Sequence, residues 1–135
     1  MNFAYPIVML SVAIALPAKA EENKKLKDLG ARIFKTNGVV SEINLNRSKI
    51  TDAELKILVT FKKLTDLSLE QTKITDEGLF HLANLTRLEW LNLFQTNVGD
   101  EGMAHLSKLR SLQYLPIGKT RLTDTGLAHI KKINS

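Results

Sequence analysis

Residues 64–87 read LTDLSLEQTKITDEGLFHLANLTR, and the pattern within them returns on both sides at a constant interval. Leu64, Leu67, Leu69, Thr72, Ile74 and Asp76 recur 24 positions later as Leu88, Leu91, Leu93, Thr96, Val98 and Asp100. They recur again as Leu112, Leu115, Ile117, Thr120, Leu122 and Asp124, and a looser copy precedes them as Val40, Ile43, Leu45, Ser48, Ile50 and Asp52. A fixed period of this length marks an array of like units, each too small to bury its own apolar residues.

Each unit reads as one strand and one helix. In Leu67-Ser68-Leu69 apolar and polar residues alternate, the period of a strand with one buried face. Thr75 and Asp76 carry oxygens suited to a helix N-terminus, and Asp also suits the positive end of the helix dipole. Leu79, Leu82 and Leu85 then fall three apart, which gives the helix one inward stripe. Stacking about three or more such units closes a continuous core, and the chain has copies over 40–63, 64–87, 88–111 and 112–135.

From residue 40 to 135 the chain resembles leucine-rich repeat proteins, most closely the subtype whose helix half reads I-T-D-x-G-L-x-x-L. That half is present as ITDAELKIL (50–58), ITDEGLFHL (74–82), VGDEGMAHL (98–106) and LTDTGLAHI (122–130). Similar repeats occur in ribonuclease-inhibitor-like horseshoes, in substrate-recognition subunits of ubiquitin ligases and in small exported bacterial proteins. The resemblance implies an α/β leucine-rich repeat solenoid, a right-handed superhelix with a parallel concave sheet and helices on the convex side. It also implies a protein-binding role, and with no phosphate-cradling Gly loop and no Cys to act as nucleophile, neither enzyme activity nor a cofactor is expected. Two departures stand out. Ser48, Thr72, Thr96 and Thr120 occupy the turn position that usually holds Asn or Cys, so hydroxyls must satisfy the buried backbone there. Glu54 stands where the later copies have Gly78, Gly102 and Gly126, a glycine that permits close approach between neighbouring helices.

The 135 residues, 44% hydrophobic and 24% charged with a net charge of +5, suit one globular domain. Before the repeats, an apolar run from Ile7 to Leu16 precedes Ala18-Lys19-Ala20, a small-x-small site. This reads as a signal peptide over 1–20, cleaved after Ala20, and so as a secreted, periplasmic or cell-envelope protein. An uncleaved anchor is the alternative, although the run is short for a span of about 20 residues. With no Cys, an exported chain carries no disulfide. Residues 21–39 are expected to form a capping helix: Leu26, Leu29, Ile33 and Phe34 lie at helical spacing from Glu22 to Lys35, with Asn37 and Gly38 as its end. At the other end Pro116 cannot donate to a ladder and should protect the last strand, Tyr114 to Gly118, while weak end-to-end dimerisation of a monomer stays open.

The register lists a concave face in three columns: Glu42, Asp66, Trp90, Tyr114; Asn44, Ser68, Asn92, Pro116; and Asn46, Glu70, Phe94, Gly118. Trp90, Phe94 and Tyr114 are expected to form one exposed aromatic patch, with Asp66, Glu70, Glu42 and Asn92 as polar partners for a protein or peptide. A carbohydrate ligand could use the same aromatics beside carboxylates, and an adaptor fragment of a ubiquitin ligase is a third reading. Lys49, Lys73 and Arg121, flanked by Arg47 and Lys119, line one rim, but without interleaved aromatics they point away from nucleic acid. His81, His105 and His129 share a helix column. Packed helices lie about 8–10 Å apart, so three such residues cannot ligate one ion held at about 2 Å. A Ser-His-Asp triad is disfavoured because the histidines fall on the helix side and the concave carboxylates on the sheet side.

Overall fold

The computed structural model describes residues 18–131 and 133. Its sheet has four strands in the order β1 (Arg32–Thr36), β2 (Val39–Asn44), β3 (Asp66–Ser68) and β4 (Trp90–Asn92). β1 and β2 pair antiparallel, whereas β2, β3 and β4 run parallel. Helices α2 (Asp52–Leu55), α3 (Asp76–Leu82), α4 (Asp100–His105) and α5 (Asp124–Lys131) follow successive strand positions. Short 3-10 turns over Lys56–Thr60 and Leu106–Lys108 continue α2 and α4. With at most eight residues each, these helices are too short to persist alone and depend on their packing.

The packing follows the period. Leu67, Leu69, Ile74, Leu79 and Leu82 of one repeat, and Leu91, Leu93, Val98, Met103 and Leu106 of the next, are all fully buried. The polar turn after each strand closes locally, as expected: Thr72, Thr96 and Thr120 donate their hydroxyls to the carbonyls of Leu69, Leu93 and Ile117 at 2.7–2.8 Å. Ser48 differs, accepting from the Ile50 N–H at 3.4 Å. In the last repeat Leu115, Ile117, Leu122 and Ile130 are only partly buried, since among the described residues nothing stacks on them.

The N-terminal cap differs from the expected helix over 22–35. Residues 18–28 are helical (α1), and the helix then stops at a left-handed Gly30 with φ +103°. The Gly30 N–H bonds to the Lys27 carbonyl and the Ala31 N–H to the Leu26 carbonyl, each at 2.9 Å, which is a Schellman ending with buried Leu26 and Ala31 in contact range of the core. Arg32–Thr36 and Val39–Asn44 then form a hairpin around Asn37 (φ 51°) and Gly38 (φ 76°). Asn-Gly readily takes the two left-handed conformations that a tight hairpin loop demands. Ile33 satisfies the helical stripe and strand alternation equally, and the glycine decides between them. The antiparallel β1 covers the edge that the first parallel strand would otherwise expose. The proposed signal peptide lies outside the described residues except for 18–20, which belong to α1. Among the described residues no helix is long and apolar enough to cross a membrane.

Pro116 keeps its expected edge position, but the strand predicted from Tyr114 to Gly118 reduces to a single parallel bridge between Trp90 and Tyr114. Carbonyls of Tyr114, Pro116 and Gly118 still accept from Leu91, Leu93 and Gln95 at 2.8–3.0 Å. The rung that Pro116 would donate is missing because it has no N–H.

Candidate functional site

Strand register places the first concave column as the sequence requires. Glu42 pairs with Asp66, Asp66 with Trp90 and Trp90 with Tyr114, so these four side chains stand side by side at the strand spacing of about 4.8 Å. Tyr114 is 64% exposed, and Trp90, Glu42 and Asp66 are half-buried. Thr65 donates its hydroxyl to Asp66 at 2.6 Å, which orients that carboxylate beside the indole.

The middle column is not the exposed surface expected of it. Ser68 and Asn92 are buried, at 1% and 7% exposure, because their polar groups are used within the face. Asn92 accepts from the Phe94 N–H at 2.9 Å and donates to Glu70 at 3.1 Å. Ser68 donates to Asn46, whose side-chain oxygen also accepts from the Glu70 N–H at 3.1 Å. Asn92 therefore holds the strand ending and Glu70 in place.

Phe94 lies beyond the end of β4, in the turn that follows it. Trp90 and Tyr114 pair in the first column, and Phe94 belongs to the third. Phe94 lies over Gly118, where an added Cβ would sit 2.9 Å from its ring, and Lys119 holds its ammonium 5.6 Å from the ring centroid. A larger residue at 118 would push the ring off, so this glycine shapes the far edge of the face.

Two features were not anticipated from sequence. Arg47, Gln71, Gln95 and Lys119, one per repeat, all adopt φ of 55–56° at the turn leaving the concave side. Their side chains form a rim ladder, Arg47 Nε to Gln71 Oε1 at 2.7 Å and Gln71 Nε2 to Gln95 Oε1 at 3.1 Å. On the opposite, convex side Phe80 is 62% exposed and meets His81 and His105 edge-on, with centroids 5.8 and 5.6 Å away. A Phe among Lys56, Ala104 and Ala128 in its column was the available signal. His81, His105 and His129 lie on α3, α4 and α5, away from the concave carboxylates.

Between repeats, the Asp that recurs in phase stands in the first turn of its own helix, as its position suggested, and also works across the boundary. Asp52 accepts from the Thr75 N–H at 2.9 Å and from its hydroxyl at 2.5 Å. Asp76 accepts from the Gly99 N–H at 2.5 Å, and Asp100 repeats the double contact with Thr123 at 2.8 and 2.5 Å. Each carboxylate fills the space that a Cβ at Gly78, Gly102 or Gly126 would take. Glu54, at the same position of the first repeat, closes a capping box with Thr51.

The Thr123 hydroxyl and N–H hold the Asp100 carboxyl below the usual carboxylate range, and the Thr51 hydroxyl and N–H do the same for Glu54. Groups depressed in the folded state stabilise it above their unfolded pKa, and that contribution disappears as pH falls through the folded value. The urea midpoint is therefore expected to drop as pH is lowered below about 4, and Thr123→Val and Thr51→Val should flatten that dependence. A midpoint equally sensitive to acid in the double variant would contradict this.

A leucine-rich repeat family model matches residues 62–83. The fold is a leucine-rich repeat solenoid. Solved structures with a similar arrangement include an internalin C2 from Listeria monocytogenes, 32% identical, covering 57% of this chain and 33% of that one with a TM-score of 0.48. An internalin from the same organism is 24% identical over 70% of this chain and 34% of its own, with a TM-score of 0.46. The solenoid here spans about a third of the length of those chains. No similar sequence was found among curated proteins.

Proposed function

We propose that this leucine-rich repeat solenoid is a non-enzymatic binding module that holds an extended protein segment against its concave sheet. The observation that carries this reading is Tyr114, 64% exposed and in register beside Trp90. Aromatic side chains offer large contact areas with few rotatable bonds, which is why they anchor protein interfaces. The Glu42–Asp66 half of the same column gives the segment a preference for basic residues next to an aromatic-binding one. Glu70 and the Phe94–Lys119 edge complete the polar and apolar contacts, with Asn92 supporting them from beneath.

The apolar run from Ile7 to Leu16 and the Ala18-Lys19-Ala20 site support export, which places the partner in the envelope or outside the cell. Replacing Trp90 and Tyr114 together by Ala is expected to weaken partner binding by about a hundredfold or more, because two anchors of about 2 kcal/mol are removed. Circular dichroism and the unfolding midpoint should show the repeats still folded. Undiminished partner recovery with the double variant would overturn the concave assignment. A retained ligand that survives proteolysis but not glycosidase treatment would assign the same Trp90–Tyr114 pair to a saccharide.

A further inference from the structure

At the N-terminal end α1, the β1–β2 hairpin and the loop after the first 3-10 turn enclose a cavity of about 480 Å³. Its size falls within the roughly 300–1,000 Å³ of small-molecule sites. Lys19, Lys35, Lys62 and Lys63 line it, and none of its lining residues is acidic. The nearby carboxylate of Glu22 is engaged by the Thr60 hydroxyl at 2.8 Å. Val39, Val40 and Phe61 give the same cavity an apolar wall, with Phe61 8% exposed. Asn23 also lines it, and its side-chain oxygen is buried with no hydrogen-bond partner among the described residues.

These features ask for three things in one ligand. Four exposed lysines around one space, with no acidic residue among the lining, favour an anion, for which lysine is a common phosphate partner. The Val and Phe wall asks for a hydrocarbon body. An orphaned buried acceptor costs free energy until a donor reaches it, and a hydroxyl or N–H on the ligand supplies one to Asn23. We infer that this cavity binds a single-chain anionic amphiphile, a phosphate head group carrying a hydroxyl on an acyl tail. Cleavage after Ala20 would remove Lys19 and leave the other three lysines, Asn23 and the apolar wall in place.

The probe is lysophosphatidylglycerol below its micelle concentration, titrated into the full chain by calorimetry, with lysophosphatidylcholine as the neutral-headed control. Saturable one-to-one binding of the first and at least about tenfold weaker binding of the second is expected, since the choline ammonium already balances the second lipid's phosphate and is itself repelled by the lysines. K62Q/K63Q should weaken the anionic lipid by a similar factor, while K108Q/R110Q, with the same loss of charge at other positions, should not. Sedimentation with phosphatidylglycerol vesicles separates a monomer site from attraction to a charged membrane. Equal binding of both lysolipids, equal losses in the two double variants, or vesicle binding without saturable monomer binding would each overturn the assignment.

Discussion

Gly102→Val is expected to destabilise the protein by about 3 kcal/mol, near the upper end of overpacking effects. A Cβ at 102 runs into the Asp76 carboxylate and comes within 3.0 Å of Leu79 Cδ1 and 3.1 Å of the Asp76 Cα. The carboxylate cannot swing aside without releasing the Gly99 N–H, and the backbone atom cannot yield unless α3 and α4 separate. Glu54→Val, at the same position of the first repeat, loses a capping contact but fills no space held by a carboxylate already bonded across a repeat boundary. A urea series reads the difference, and a double-mutant cycle identifies its cause: the cost at 102 should shrink when Asp76 is already Ala, with a coupling of about 1 kcal/mol or more. Additive costs would mean that the glycine serves another purpose.

Leu67→Ala is expected to cost about 3–4 kcal/mol, the range for deleting a fully buried leucine whose surroundings collapse only partly. Leu67 sits at 0% exposure in the second repeat, with a covered strand on either side. For a domain stable by about 5–15 kcal/mol this is a large fraction. Leu115, its counterpart two repeats on, is only partly buried, and its replacement should cost about 1 kcal/mol. Comparable losses at both positions would contradict the gradient of packing from the central repeats to the last one.

The parts of this fold that were legible in the sequence are those set by the period. Core residues such as Leu67, Leu91 and Val98, the row Glu42–Asp66–Trp90–Tyr114 and the Thr72, Thr96 and Thr120 hydroxyl bonds all follow from counting in steps of 24. What the period could not show is which copy a side chain serves. Asp76 looks like a helix-start residue within its own repeat, yet its acceptor oxygen works on the next, and the glycine column exists because of it. The middle concave column was misjudged for a related reason. Alternation says which face Asn92 is on, but its burial depends on Glu70 and Phe94 closing over it through hydrogen bonds. In the cap, Gly30 and the Asn37-Gly38 pair carried the right signals, and the helical spacing of Leu26, Leu29 and Ile33 masked them. Of the aromatic face, the register of Trp90 beside Tyr114 was legible from the period, while the turn that carries Phe94 beyond β4 was not.

The concave face is tested most directly by placing a photo-crosslinking benzoylphenylalanine at position 114 or at position 80 and irradiating the protein in its own cells. Both positions are well exposed, at 64% and 62%, but on opposite sides of the solenoid. The account predicts a discrete protein adduct from position 114 that is lost when Trp90 is also replaced by Ala, and none from position 80. An adduct from position 80 with none from position 114 would contradict it and move the interface to the convex helices around Phe80.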